Sequence, residues 1–136
     1  MTGGEVETYL YNGVKTLEPP ITGKVYYRGM RPLQNDKDSD KEDCVVAVTT
    51  GTGLQVERGT CVVNVYVPDI RVPSGAYMRD KGRCDIIEKW LDGVPRRLTA
   101  MGDVFFERQS LILTLEEPAL REHFVSLKMD FRLLTN

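Results

Sequence analysis

From Val125 to Leu133 the chain alternates without interruption. Val125, Leu127, Met129, Phe131 and Leu133 are apolar, and Ser126, Lys128, Asp130 and Arg132 between them are polar. A period of two is the geometry of a β-strand, whose successive side chains point to opposite faces. Such a strand has one face that must be covered and one that meets water or a partner. The fold therefore has to supply a sheet and a layer to cover its dry side.

Further strands follow from composition. Residues 21–28 (ITGKVYYR) and 44–50 (CVVAVTT) are rich in β-branched and aromatic types. Gly51-Thr52-Gly53 predicts a turn, and residues 55–67 a long third strand that Pro68 ends. In that strand Cys61, Val63, Val65 and Val67 share one face, and Thr60, Val62, Asn64 and Tyr66 the other. Both faces are rather apolar from Val62 to Val67, which predicts a strand covered on both sides or central in the sheet. Residues 104–115 read as one extended segment with Leu111, Leu113 and Leu115 on one face, followed by a turn at Glu116-Glu117-Pro118.

Two helices complete the pattern. Val6, Leu10, Val14 and Leu17 recur at helical spacing over residues 4–17, and Pro19-Pro20 stops that helix. Gly13 weakens it by about 1 kcal/mol relative to alanine. Asp80 can cap a second helix over residues 81–92, which Gly93 and Pro95 end. Its apolar residues are Cys84, Ile86, Ile87, Trp90 and Leu91, with Asp85 and Lys89 placed to pair on the wet face. The expected fold is α+β: a five-stranded, mainly antiparallel sheet with two helices packed on one face, in the order αβββαββ. One domain spans residues 1–136, with helix and linker over 1–20. Residues 34–43 (QNDKDSDKED) form a charged, apolar-free loop, the segment expected to be most flexible.

At this length a chain buries roughly two thirds of its unfolded surface, enough for a core without metals or crosslinks. The net charge of −2 lacks the basic excess of a nucleic-acid binder, so nucleic acid is not an expected partner. No apolar run is long enough to cross a membrane as a helix, and the first residues lack a signal-peptide pattern. The protein is expected inside the cell when made.

Recognisable chemistry is sparse. Cys44, Cys61 and Cys84 lie 17 and 23 residues apart and His123 is the one histidine, a pattern that builds neither a zinc site nor a disulfide framework. Asp36, Asp38 and Asp40 resemble the start of a calcium loop. The glycine and glutamate that such a loop needs are replaced by Lys41 and Ala47. Gly51-Thr52-Gly53 lacks the third glycine and the following helix of a dinucleotide site. Ser74 has no nucleophile-elbow context, and His123 reads as a hydrogen-bonded histidine at a strand start. Glu116-Glu117 and Arg96-Arg97 read as surface charge. No catalytic residue, metal or cofactor is expected.

Three stretches taken together resemble small phage morphogenesis proteins of the tail-completion or tail-terminator (head–tail joining) type: residues 21–26 (ITGKVY) with Arg31-Pro32, residues 63–69 (VNVYVPD), and residues 122–125 (EHFV) leading to Phe131. The resemblance implies a non-enzymatic α+β subunit that forms a ring, often hexameric. Such a ring caps the tail tube or joins tail to head, so its partners are its own copies and tail-tube or connector proteins. It would be found in the host cytoplasm during assembly and then in the virion. Candidate interface residues are Asp36, Asp38 and Asp40 of the charged loop and Lys128, Asp130 and Arg132 of the last strand. The long strand at 55–67 is a further candidate surface. The competing expectations are a non-enzymatic interaction module of a bacterial or mobile-element apparatus, and a small enzyme of unknown class, which would need His123, a cysteine and a carboxylate to converge in a deep cleft.

Overall fold

The computed structural model describes residues 1–32, 40–51 and 57–134. In chain order the elements are α1 (Gly3–Thr16), β1 (Val25–Tyr27), β2 (Asp43–Gly51), β3 (Arg58–Pro68), β4 (Ile70–Arg71), β5 (Tyr77–Met78), α2 (Lys81–Asp92), α3 (Val94–Thr99), β6 (Val104–Arg108), β7 (Leu113–Glu117) and β8 (Glu122–Leu133). A short 3-10 turn, Pro118–Leu120, links β7 to β8.

The fold class is α+β as expected, with a different strand count and order. The main sheet has six strands in the order β1-β2-β3-β8-β6, with β7 also paired to β8. Only β1 and β2 run parallel; the other pairs in this sheet are antiparallel. β4 and β5 form a separate two-stranded ribbon.

The segment expected as one strand over 104–115 is two. β6 pairs with the end of β8, from Met129 to Leu133, and β7 with its start, from Glu122 to Ser126. β8 is 12 residues long, so two five-residue strands fit along one of its edges. The expected strand at 21–28 shortens to Val25–Tyr27. Pro19, Pro20 and Gly23 occupy the preceding segment, and Ile21 N–H already bonds Pro19 C=O at 2.8 Å.

Both long helices have the caps their sequences imply. Thr2 and Glu5 form a reciprocal capping box on α1. The chain leaves α1 through Glu18, in left-handed backbone at φ 52°, just before Pro19. Asp80 accepts from Arg83 N–H at the head of α2. Asp85 pairs with Lys81 at 2.7 Å, where a Lys89 partner was expected. Gly93 ends α2, but Pro95 opens the further helix α3, because proline fits the first turn of a helix. Gly13 sits where α1 meets α3: a Cβ there would lie 2.7 Å from Leu98 Cδ2. The glycine that weakens the isolated helix is what lets it dock.

The helices lie on one face of the sheet. Val6, Leu10 and Val14 of α1, Ile87 and Leu91 of α2 and Leu98 of α3 are fully buried. They share a core with Cys44 and Val46 of β2, Cys61, Val63, Val65 and Val67 of β3, and Val125, Leu127, Met129 and Phe131 of β8. Trp90 is only partly buried, and Ile86 is half exposed. The other face of β3 is not covered as expected: Thr60, Val62, Asn64 and Tyr66 are half-buried. β3 is central by its place in the sheet rather than by burial of both its faces.

Candidate interaction surface

The face opposite the helices is laid out by register. Tyr26, Val45, Asn64, Ser126 and Leu113 stand in one row across β1, β2, β3, β8 and β7. Asp43, Tyr66, Phe124 and Leu115 form the next row over the last four of those strands. Further along β3 and β8, Val62 stands beside Lys128, Thr60 beside Asp130 and Arg58 beside Arg132.

Lys128, Asp130 and Arg132 are exposed and share this face, as the alternation implies. Ser126, expected to be wet, is 5% exposed. Asp130 accepts from Gln109 Nε2 at 3.2 Å, and the Arg132 guanidinium lies 5.2 Å from the Phe105 ring centre. A shallow groove of about 400 Å³ runs between β3 and β6, lined by Arg58, Thr60, Phe105, Glu107, Asp130 and Arg132 among others. Asp40 is exposed, while Asp36 and Asp38 lie outside the described residues.

At the other end of the face is a buried ion cluster that the local sequence pattern does not announce. The segment after β1 brings Arg31 over the sheet. Its Nε donates to Asp43 Oδ2 at 2.9 Å, and its two terminal nitrogens donate to Glu122 at 2.9 and 2.8 Å. The guanidinium also lies 4.5 Å from the Tyr66 ring centre. The Arg31 and Asp43 side chains are each 7% exposed and Glu122 is fully buried. Burial alone would pull the Arg31 pKa down, but the hydrogen bonds to Glu122 and Asp43 outweigh it and raise the pKa. Burial raises the Tyr66 phenol, against the opposing field of Arg31.

Glu42 and Asp43, the last residues of the charged loop expected over 34–43, belong to this architecture, and residues 34–39 of that loop lie outside the described residues. Adjacent at the head of β2, they serve separate arginines. Glu42 takes Arg83 of α2 in a two-pronged pair at 2.7 and 2.8 Å, which raises the Arg83 pKa. Asp43 takes Arg31 and also accepts Lys24 N–H at 3.1 Å. Gly23 makes room for this: a Cβ there would fall 1.9 Å from Asp43 Oδ1.

The edge of the sheet at β7 is apolar and open. Leu111, Leu113 and Leu115 are 72%, 50% and 40% exposed. Among the described residues, β8 is the only strand paired with β7.

His123 hydrogen-bonds Asp69 through Nδ1 at 2.6 Å, and its Nε2 lies 3.8 Å from Glu116. The three thiols are unpaired and buried. Burial pushes Cys44 and Cys61 up to about 12 and Cys84 to about 11, the reverse of what activates a cysteine nucleophile. No group of three or more His, Cys, Asp or Glu side chains placed to hold a metal ion occurs among the described residues. None of the described helices is long and apolar enough to cross a membrane. No protein-family model matches the chain, and no curated protein matches it.

Proposed function

We propose that the chain is a non-enzymatic structural subunit that assembles with its own copies, in the manner of a phage tail-completion or tail-terminator protein. The observation that carries this reading is the asymmetry of the sheet. Three helices cover one face, whereas the other is half-open and ends at an edge strand bearing exposed Leu113 and Leu115. An apolar, unpaired edge is a template for pairing with another chain, and monomeric proteins usually blunt such edges. The sequence stretches that resemble the tail proteins also bear on this face. Arg31 and Glu122 lock together there, and Asn64 and Tyr66 line it. The exposed charges Lys128, Asp130 and Arg132 remain candidate contacts with tail-tube or connector proteins. The test is solution mass by light scattering behind a sizing column over a wide concentration range. A discrete closed oligomer is expected. A strict monomer at every concentration would overturn intrinsic self-assembly.

A further inference from the structure

The two outer edges of the sheet stand at the same level. β1 and β7 end the same row, running Tyr26, Val45, Asn64, Ser126, Leu113. β1 runs parallel to β2, and each later step across β3, β8 and β7 reverses direction, so β1 and β7 point opposite ways. If two copies stand side by side in the same orientation, β7 of one therefore meets β1 of the next as an antiparallel pair.

The chemistry of the two edges is complementary. From Leu111 to Leu120 the chain has two acidic residues, Glu116 and Glu117, and no lysine or arginine. From Pro19 to Arg28 it has Lys24 and Arg28 and no acidic residue. Beside β1, on the side of α1, lies a groove of about 350 Å³ lined by Tyr11, Lys15, Pro19, Ile21, Lys24 and Val25 among others, two of them lysines. Lys15 and Lys24 are exposed, as are Leu113, Leu115 and Glu116.

We infer that β7 of one copy docks against the β1 edge and its groove on a second copy of this chain. On the open face Leu113 of one copy then stands beside Tyr26 of the next, with Leu115 and Glu117 towards Lys24, and on the helical face Glu116 reaches Lys15. Backbone pairing gives such a contact its affinity, and the side chains fix register and partner. The contact uses different surfaces on the two copies, so it propagates head to tail and closes into a ring when the rotation per copy allows. This rests on the self-assembly reading above and specifies its interface.

The test is charge reversal on the full chain. Glu116→Lys with Glu117→Lys makes both edges basic, and Lys15→Glu with Lys24→Glu makes both acidic. Each variant alone should keep the wild-type circular dichroism spectrum and raise the apparent Kd of association by about tenfold or more, because like charges then face each other. Mixed one to one, the two variants should again form oligomers, each edge having regained an opposite partner. If both variants stay folded and remain as oligomeric as the wild type, the contact lies elsewhere. The edge pairing is then overturned while self-assembly stands. Folded monomers that mixing does not rescue would also overturn the pairing. A wild-type chain that is monomeric at every concentration overturns both readings together.

Discussion

Glu42 and Asp43 are neighbours in sequence, yet each holds a different arginine, and the contrast between the two pairs runs through the molecule. On the helical side Glu42 meets Arg83, whose side chain is 35% exposed, at the rim of an apolar core. On the open side Asp43 meets Arg31, 7% exposed, in a cluster closed by Glu122 at 0%. The helical face is held by volume: interlocking Val, Leu, Ile and Phe with helices above them. Among the described residues no helix covers the open face, and one end is held by three charges and an aromatic ring. One sheet thus relies on non-directional burial on one side and on fixed geometry on the other.

The largest expected effect separates these two modes. Arg31→Ala removes the guanidinium that buried Asp43 and Glu122 both bond and should cost about 3–5 kcal/mol. Arg31→Lys should rescue little, because a lysine cannot reproduce the two-pronged contact with Glu122 while also reaching Asp43. Denaturant unfolding checks both variants. A loss below about 1 kcal/mol for Arg31→Ala would mean that water reaches the cluster. Because the Arg31 pKa is raised, its stabilising contribution is fully present below the ordinary guanidinium pKa and disappears only in still more alkaline solution. Stability should therefore not titrate through Arg31 at neutral pH.

On the helical face, Leu91→Ala and Ile87→Ala should each cost about 2–5 kcal/mol, since both side chains are fully buried. Trp90→Ala should cost less than either, although size alone ranks tryptophan first, because its ring is only partly buried. A tryptophan loss exceeding that of Leu91 would mean that the ring is an anchor of the core. Arg83→Ala should cost less than Arg31→Ala, about 1–3 kcal/mol, because it strips one buried carboxylate, Glu42, rather than two, and the guanidinium it removes is itself partly open to water. A loss equal to that of Arg31→Ala would erase the distinction between the two arginines.

What could be read from the sequence follows the range of the forces involved. Local periodicity and capping are written in consecutive residues. Hence α1, the limits of α2 with Asp80 and Gly93, and the alternation of β8 are legible in the sequence. The Arg31 cluster was not. Its partners lie 12 and 91 residues away, and no local pattern announces a pair at that distance. The break between β6 and β7 was also hidden, because the length of β8 decides it rather than the apolar run from 104 to 115. Leu113 and Leu115 were placed on one face correctly, but alternation does not say which face the helices cover. Of the expected interface residues, Lys128, Asp130 and Arg132 share a surface, Asp40 is exposed, and Asp36 and Asp38 fall outside the described residues.

The thiols sharpen the same comparison through pH. Cys44 and Cys61 lie in the core beneath the helices, with pKa values pushed up to about 12 from 9.0. A raised folded pKa means that the unfolded chain releases these protons first. Stability is therefore fully present below pH 9 and falls as pH rises towards 12. Replacing both cysteines with alanine should flatten that decline while lowering stability at neutral pH through the lost volume. Unfolding curves at pH 8 and pH 10.5 check this. An unchanged alkaline slope would assign the decline to other groups.

The smallest expected effects fall on the wet end of the open face. Lys128→Ala should shift stability by less than about 0.5 kcal/mol, because its side chain is exposed. Arg132→Ala should cost slightly more, since its guanidinium lies over Phe105, a contact of about 0.5–1 kcal/mol at an exposed site. The informative readout is association rather than melting. If copies join through β7 and β1, both variants keep the wild-type oligomer, because β8 lies inside the sheet, between β3 on one side and β6 and β7 on the other. If either variant stays folded yet dissociates, the contact between copies is made by the polar face of β8. The open face would then be the joint between subunits rather than a surface left for another protein.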